Sequence, residues 1–186
     1  MKKILSFIYA LLTLCTGTMA QPYADLISNT QARKNINLNG KWSIIVDPYE
    51  NGFYNYRFEE HPNGYFKDEK PKDGTELIEY SFDNANWLYV PGDWNSQREK
   101  LELYEGTIWY KISFDVAKAK PSNRLYLCFG AVNYEAHVYL NGEKLGKHIG
   151  GFTPFQFEIT GKVKEKGNFV VVKVDNKRYK DAVPTV

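Results

Sequence analysis

Cysteine is scarce in this sequence, which has only Cys15 and Cys128 among its 186 residues. Cys15 lies in an N-terminal segment that we expect to be removed, so one thiol remains in the mature chain. A single thiol excludes a disulfide within the chain. Cys128 lies within the apolar run 125–129, which favours a buried, unreactive side chain in a strand over a catalytic thiol.

The sequence also lacks a large excess of charge of either sign. Its formal net charge is +2, and Lys2 and Lys3 belong to the segment that we expect to be removed, which leaves basic and acidic residues in equal number. This balance argues against nucleic acid or an anionic membrane surface as a partner. No apolar run of the sequence is long enough to cross a bilayer.

Residues 1–20 have the pattern of a secretory signal peptide. A basic pair precedes an apolar stretch over residues 4–14, and Ala20 offers a cleavage site before Gln21. We therefore expect a secreted or periplasmic protein. A lipoprotein signal that uses Cys15 is the alternative, but the residue before that cysteine is bulkier than such processing prefers.

The rest of the chain has the length of one domain and the pattern of an all-β protein. Apolar and polar residues alternate in short runs, which is the period of a half-buried strand. We predict strands at 41–46, 108–116, 125–129, 134–140, 155–159 and 169–174. Asn141-Gly142 predicts a type I′ hairpin turn, with a return strand from Glu143. Short strands at this spacing predict an antiparallel sandwich or barrel, with helix limited to a short segment at 26–35 and a single turn at 82–88.

Two further features concern possible sites. Segment 48–75 carries seven aromatic residues among many charges, and we predict an ordered loop folded over one end of the sandwich. In strand 134–140, the alternation places Ala136 and Val138 toward the core and His137 outward. The histidines have no ligand-type spacing, so we predict a surface role for His137 rather than metal binding.

A series of short motifs runs from Trp87 to Thr185. They are Trp-Leu-Tyr-Val-Pro-Gly-Asp-Trp-Asn at 87–95, Tyr-Glu-Gly-Thr-Ile-Trp-Tyr at 104–110, Phe-Gly-Ala-Val-Asn-Tyr at 129–134, Val-Tyr-Leu-Asn-Gly at 138–142, Gly-Gly-Phe-Thr-Pro-Phe at 150–155, Val-Asp-Asn-Lys-Arg at 174–178 and Val-Pro-Thr at 183–185. In this order they resemble the N-terminal sugar-binding domain of glycoside hydrolase family two. That family includes the β-glucuronidases and β-galactosidases.

The resemblance implies a galactose-binding-like jelly-roll β-sandwich over residues 38–186, after a lead-in at 21–37. In the family, an immunoglobulin-like domain and a (β/α)8 barrel follow, and the barrel supplies the two glutamates of a retaining hydrolysis. We expect neither domain here. We also expect the sandwich to be C-terminally incomplete, because the family's sugar-contacting aspartate lies beyond the motif at 183–185. The resemblance therefore implies no catalytic residue, metal or cofactor in this chain, and no hydrolysis by it alone.

The loop around residues 94–105 has the composition of a carbohydrate site. Sugars present C–H faces that pack on aromatic rings and hydroxyls that need polar partners. The candidate substrate-binding residues are Trp94, Asn95, Gln97, Arg98, Tyr104 and Glu105. The resemblance places this loop at the edge of the pocket that the barrel contributes. Packing in the core or between domains is the competing interpretation for Trp94.

Three functions stay open on the sequence alone. The leading hypothesis is an N-terminal domain that braces the barrel and lines the substrate pocket of a secreted β-glucuronidase- or β-galactosidase-like enzyme acting on β-glycosides. The second is a free-standing carbohydrate-binding module. The third is a non-catalytic interaction domain whose aromatic surface docks a protein.

Overall fold

The described part of the chain is almost entirely β-structure. The computed structural model describes residues 26–61, 81–83, 85–117 and 123–177. The predicted signal peptide, the start of the lead-in, residues 62–75 of the aromatic segment and the motif at 183–185 lie outside the described residues. No helix within the described ranges has the length and hydropathy needed to span a bilayer.

Eight strands in the described residues form two antiparallel sheets. The strands are β1 (Gly40–Asp47), β2 (Asn86–Val90), β3 (Thr107–Phe114), β4 (Tyr126–Phe129), β5 (Glu135–Leu140), β6 (Glu143–Ile149), β7 (Phe155–Glu158) and β8 (Asn168–Asp175). The large sheet has the order β2-β1-β3-β8-β5-β6, and β4 pairs with β7 in the small sheet. The helical elements are α1 (Trp94–Gln97) and two 3-10 turns, Thr30–Ala32 and Glu99–Leu101. The predicted all-β antiparallel sandwich is confirmed.

Alternation of apolar residues predicts most of the strands to within about two residues, but it misses β2. The sequence predicts a helical turn over 82–88, whereas Asn86–Val90 pairs with β1 and places Trp87 opposite Ser43. Only Leu88 of this strand is buried, so its local pattern carries little strand signal and pairing with β1 decides its conformation. The predicted hairpin turn is confirmed, with φ of 52° at Asn141 and 87° at Gly142.

One face of the large sheet packs against the small sheet to form the main core. The core cluster includes Trp42, Ile44, Leu88, Ile108, Tyr110, Ala136, Val138, Leu140, Val170, Val172 and Val174 from the large sheet. Leu127 and Phe155 contribute from the small sheet, and Trp94 and Leu101 contribute from the segment that joins β2 to β3. That joining segment is therefore held against the sheet by its own apolar side chains.

Cys128 is exposed, so the prediction that it is buried is wrong. Its neighbour Leu127 faces the core, and successive residues of a strand point to opposite sides. The thiol of Cys128 therefore lies on the outer side of the small sheet.

The opposite face of the large sheet is covered by residues 48–61, which follow β1. Phe53 is only 1% exposed and packs in a second apolar cluster with Trp109, Tyr139 and Val171. The ring of His137, which is also 1% exposed, lies 4.6 Å from the ring of Phe53 between centroids. The predicted surface position of His137 is wrong, because residues 48–61, the described part of the aromatic segment, fold back over this face of the sheet.

Candidate functional site

The segment between β2 and β3 carries all of the predicted substrate-binding residues, and its first part is a single capped helical turn. Asp93 is the N-cap of α1, and its Oδ1 accepts a hydrogen bond from the Ser96 backbone N–H at 2.8 Å. The Ser96 hydroxyl donates to Asp93 Oδ2 at 2.7 Å. These hydrogen bonds lower the pKa of Asp93. A capped turn of this kind fixes the direction in which the following side chains project.

Trp94 and Asn95 bind the backbone of the loop that follows them. Trp94 is buried, and its indole Nε1 donates to the Tyr104 carbonyl oxygen at 3.1 Å. Asn95 Nδ2 donates to the carbonyl oxygens of Leu101, Glu102 and Tyr104 at 2.6, 3.0 and 3.2 Å. Both side chains thus hold the loop in place by satisfying its carbonyl groups.

Gln97 and Arg98 lie along the outer edge of β2. The Gln97 amide accepts from the Tyr89 backbone N–H at 2.7 Å and donates to the Tyr89 carbonyl at 3.0 Å, as a neighbouring strand would. Arg98 Nη2 donates to the Trp87 carbonyl oxygen at 2.8 Å. These contacts occupy backbone groups that an exposed edge strand otherwise offers to another chain.

Tyr104 and Glu105 lie at the end of the large sheet where β3 begins and β8 ends. The Tyr104 hydroxyl donates to the Thr107 carbonyl oxygen at 2.9 Å. Burial, with a contribution from the negative charge of Asp47, raises the pKa of Tyr104 to about 12. Glu105 is exposed. The two residues therefore place a neutral hydroxyl-bearing ring and a carboxylate side by side at this end.

Gly106 ties this loop to the chain that leaves β8. Its N–H donates to Asn176 Oδ1 at 2.8 Å, and its carbonyl oxygen accepts from the Asn176 N–H at 3.2 Å. Gly106 has φ of 150°, and an added Cβ would lie 2.7 Å from the Tyr104 hydroxyl oxygen. Glycine is therefore needed here for the ring of Tyr104 to occupy its position.

A buried group of charges lies at the same end of the sheet, and the sequence analysis did not identify it. Lys173 Nζ lies 2.8 Å from Glu50 Oε1 and 4.0 Å from Asp175 Oδ2. Lys177 Nζ lies 2.9 Å from Glu50 Oε2 and 3.6 Å from Asp175 Oδ2. The Thr107 hydroxyl also donates to Glu50, at 3.1 Å. A signal was present, since Lys173 and Asp175 interrupt the valines of β8 on one face.

The electrostatics of this charge group oppose proton transfer by Glu50. Burial by itself raises the pKa of Glu50, but hydrogen bonds and attraction from Lys173 and Lys177 outweigh that effect and lower the pKa to about 2. A general acid of a glycosidase needs the opposite shift. In the described ranges, no three His, Cys, Asp or Glu side chains are grouped so that they could hold a metal ion.

The six predicted residues thus fall into three sets. Trp94 and Asn95 hold the loop, Gln97 and Arg98 lie on the edge of β2, and Tyr104 with Glu105 lies at the end of the sheet beside the buried charges. The first and third sets meet at the Tyr104 carbonyl oxygen, which accepts hydrogen bonds from Trp94 and Asn95, whereas Gln97 and Arg98 bind the backbone of β2 instead. The loop from Tyr104 to Gly106 is the candidate functional site, because it combines an aromatic ring and a carboxylate on a rigidly held backbone.

Residues 93–183 match the family model described as glycosyl hydrolase 2 galactose-binding domain-like. Residues 93–183 therefore belong to the glycosyl hydrolase 2 galactose-binding-like family of domains. A β-galactosidase from Thermoanaerobacter pseudethanolicus is 33% identical over 139 residues, which cover 60% of this chain and 18% of that protein. A β-glucuronidase from Streptococcus agalactiae is 35% identical over 106 residues, which cover 56% of this chain and 15% of that protein.

Solved structures agree with the sequence relatives. The β-glucuronidase of an uncultured Clostridium species aligns with a TM-score of 0.60 and 29% identity, over 80% of this chain and 23% of that one. The glycosyl hydrolase 2 domain therefore spans less than a fifth of the two curated relatives above and about a quarter of the solved structure. The predicted family and the predicted sandwich are both confirmed by these comparisons.

Proposed function

We propose that this galactose-binding-like domain is the non-catalytic N-terminal domain of a secreted β-glucuronidase- or β-galactosidase-like glycosidase. The observation that carries the proposal is the match of residues 93–183 to the glycosyl hydrolase 2 domain, together with relatives that bear those two enzyme names. The proposed signal peptide at 1–20 accounts for the secretion. Acting on β-glycosides would then be a property of the whole enzyme.

In this role the loop from Tyr104 to Gly106 forms one wall of the sugar pocket. The ring of Tyr104 suits the C–H face of a pyranose, and the carboxylate of Glu105 accepts hydrogen bonds from sugar hydroxyls. Trp94 and Asn95 act as positioning residues, since both donate to the Tyr104 carbonyl oxygen. The Gln97 amide contributes indirectly, because its bonds to Tyr89 fix the start of the same segment.

The chemistry of hydrolysis is supplied by another domain under this proposal. A retaining glycosidase needs two carboxyl groups about 5–5.5 Å apart, one of them protonated when substrate binds. Glu50 and Asp175 share the lysines at 173 and 177 as partners. A pKa of about 2 for Glu50 keeps this carboxylate ionised at neutral pH, so it serves the fold rather than proton transfer.

The pocket-wall role is tested by a chimera in which this chain replaces the equivalent domain of the Streptococcus agalactiae β-glucuronidase. We expect the assembled chimera to hydrolyse an aryl β-glucuronide. Glu105→Gln should lower kcat/KM about tenfold, because a hydrogen bond to a charged group is worth about 1.5–3 kcal/mol.

The matched control is Arg124→Gln, which breaks the exposed pair with Glu158 on the small sheet. This variant should leave the kcat/KM of the chimera unchanged. An assembled, active chimera in which Glu105→Gln behaves like Arg124→Gln would show that the loop does not line the pocket.

A further inference from the structure

Two exposed aromatic side chains stand side by side on the edge strand β2. Trp87 is 37% exposed and Tyr89 is 51% exposed, and both project from the same face of the strand. Their ring centroids are 5.1 Å apart with an interplanar angle of 77°. The other three tryptophans of the chain are at most 5% exposed, so the exposure of Trp87 sets it apart from the residues that build the core.

Two cations lie over this aromatic pair. Lys41 Nζ is 4.0 Å from the ring centroid of Trp87 and 5.8 Å from that of Tyr89. The guanidinium carbon of Arg98 is 4.6 Å from the ring centroid of Trp87. Lys41 lies opposite Tyr89 in the register of β1 and β2, whereas Arg98 reaches the patch from the end of α1. Strand pairing and the capped turn thus place both cations on one aromatic surface.

Neither cation is neutralised by a carboxylate of the described residues. Within those residues, Lys41 and Arg98 form no ion pair, and the one hydrogen bond of the Arg98 guanidinium goes to the Trp87 carbonyl oxygen. Arg124 offers a contrast, because it also lies over an aromatic ring, that of Tyr126, yet its Nε and Nη2 both donate to the Glu158 carboxylate. Among the described residues, the β2 patch therefore has two positive charges that no carboxylate neutralises.

We infer that the patch of Lys41, Trp87, Tyr89 and Arg98 is a binding site for an acidic saccharide with uronate carboxylates. The half-exposed ring of Tyr89 offers an apolar surface to the C–H face of a sugar ring. Arg98 and Lys41 bind the carboxylate, since a guanidinium suits bidentate contact and an ammonium adds a point charge. A neutral sugar would use only the ring. A carboxylated sugar satisfies the ring and both cations at once.

A saccharide fits this patch better than a nucleic acid strand does. Single-stranded nucleic acid is bound along extended basic grooves with successive stacking rings. The patch has only two cations, and the whole chain has a formal net charge of +2. This inference goes beyond the proposed function, because the patch contains none of the residues that we place in the pocket wall. Binding at the patch also requires no hydrolysis.

Tryptophan fluorescence of the full 186-residue chain tests the site, because acrylamide reaches Trp87 more readily than the buried tryptophans. A tetrasaccharide that contains glucuronate should reduce the acrylamide quenching in a saturable manner. The same tetrasaccharide with its carboxyl groups reduced to alcohols should protect at least tenfold more weakly. Equal protection by both saccharides, or no protection by the acidic one, would overturn the inference. Preferential protection by an oligodeoxythymidine would also overturn it.

Variants of the patch separate a specific site from general attraction to positive charge. Binding of the acidic tetrasaccharide should be weakened by each of three variants, Arg98→Gln, Lys41→Gln and Tyr89→Ala. For Arg98→Gln we expect about tenfold weaker binding, because the variant loses a charge-assisted hydrogen bond to the carboxylate. Arg124→Gln removes a similarly exposed cation that lies over Tyr126, and it should leave the affinity unchanged. Circular dichroism and the urea midpoint establish that each variant is folded. Folded patch variants that bind as tightly as Arg124→Gln would refute the site.

Discussion

Replacing Phe53 by alanine should destabilise the protein by about 3–5 kcal/mol, the usual cost of deleting a fully buried phenylalanine ring. Phe53 is 1% exposed, and its ring contacts the ring of His137 and lies 4.2 Å from Lys173 Nζ. It joins residues 48–61 to the outer face of the large sheet. Removing the ring leaves a cavity between residues 48–61 and the large sheet. It also removes the main apolar contact by which these residues pack on the sheet.

Hydrogen exchange of individual backbone amides would measure which part of the structure loses stability in this variant. The amides of Phe53 and Tyr54 donate to the Glu50 carbonyl oxygen, and the amide of His61 donates to the Phe53 carbonyl oxygen. In Phe53→Ala we expect these amides to exchange at least a hundredfold faster, because about 3 kcal/mol of local stability corresponds to more than two orders of magnitude.

The control for Phe53→Ala is Phe58→Ala in the same segment, where the ring is 85% exposed. This variant should change stability by no more than about 0.5 kcal/mol, as is usual for surface substitutions. Equal urea midpoints and equal exchange rates for Phe53→Ala and Phe58→Ala would mean that the segment does not cover the sheet as described.

Lys173→Met should produce a second large loss of stability at neutral pH. The side chain of Lys173 is 3% exposed, and its ammonium group lies between Glu50 and Asp175. Methionine keeps most of the side-chain volume but removes one of the positive charges that pair with these two carboxylates. Removing one partner of a buried ion pair costs about 3–5 kcal/mol. Urea unfolding followed by tryptophan fluorescence at pH 7 measures the difference directly.

The pH dependence of this loss has a defined sign. The folded pKa of Glu50 is about 2, below its ordinary value of 4.5, so its contribution to stability is present above pH 4.5 and is lost as the pH falls toward 2. In Lys173→Met the pKa of Glu50 should rise, which removes part of that contribution at pH 7. The unfolding free energies of the two proteins should therefore converge between pH 4.5 and pH 2.

Lys177→Met is the matched control for Lys173→Met, because Lys177 shares the same two carboxylates but is 37% exposed. Exposed ion pairs contribute about 0–1 kcal/mol, so this variant should lose much less stability. If both lysine variants lost the same amount, or if the effect of Lys173→Met were constant from pH 7 to pH 2, the buried charge group would not have the energetic role assigned to it.

The sequence predicts the strands well because their signal is local. In β3 and β8, alternation with period two follows from the geometry of a single strand, and the Asn141-Gly142 turn depends on only two residues. The strand β2 escapes prediction for the converse reason. Its conformation depends on pairing with β1, and its exposed Trp87 and Tyr89 give the local pattern no clear inner face.

The face that each residue covers is harder to predict than the strand itself. Alternation places His137 and Val138 on different faces of the strand. It does not indicate whether the face away from the main core contacts water or another part of the chain. That depends on the path of residues 48–61, a tertiary contact between segments far apart in sequence. The same limit applies to Cys128, which lies in an apolar run yet faces outward from the small sheet.

The candidate site was predictable in composition but not in arrangement. Aromatic and polar residues between β2 and β3 suggest sugar contacts by residue type. The structure shows that Trp94 Nε1, Asn95 Nδ2 and both amide atoms of Gln97 are bound to backbone groups of their own surroundings. Whether an amide meets a ligand or the main chain depends on the loop's path, and residue type alone does not encode that path.

Whether this domain is non-catalytic is tested most directly by an assay of the purified 186-residue chain with 4-nitrophenyl β-glucuronide and 4-nitrophenyl β-galactoside. The glycosyl hydrolase 2 domain should release no nitrophenol above the blank with either substrate, while a full-length relative assayed in parallel releases it readily. Turnover that is proportional to the concentration of the chain and co-elutes with it on gel filtration would contradict the claim that this domain is non-catalytic.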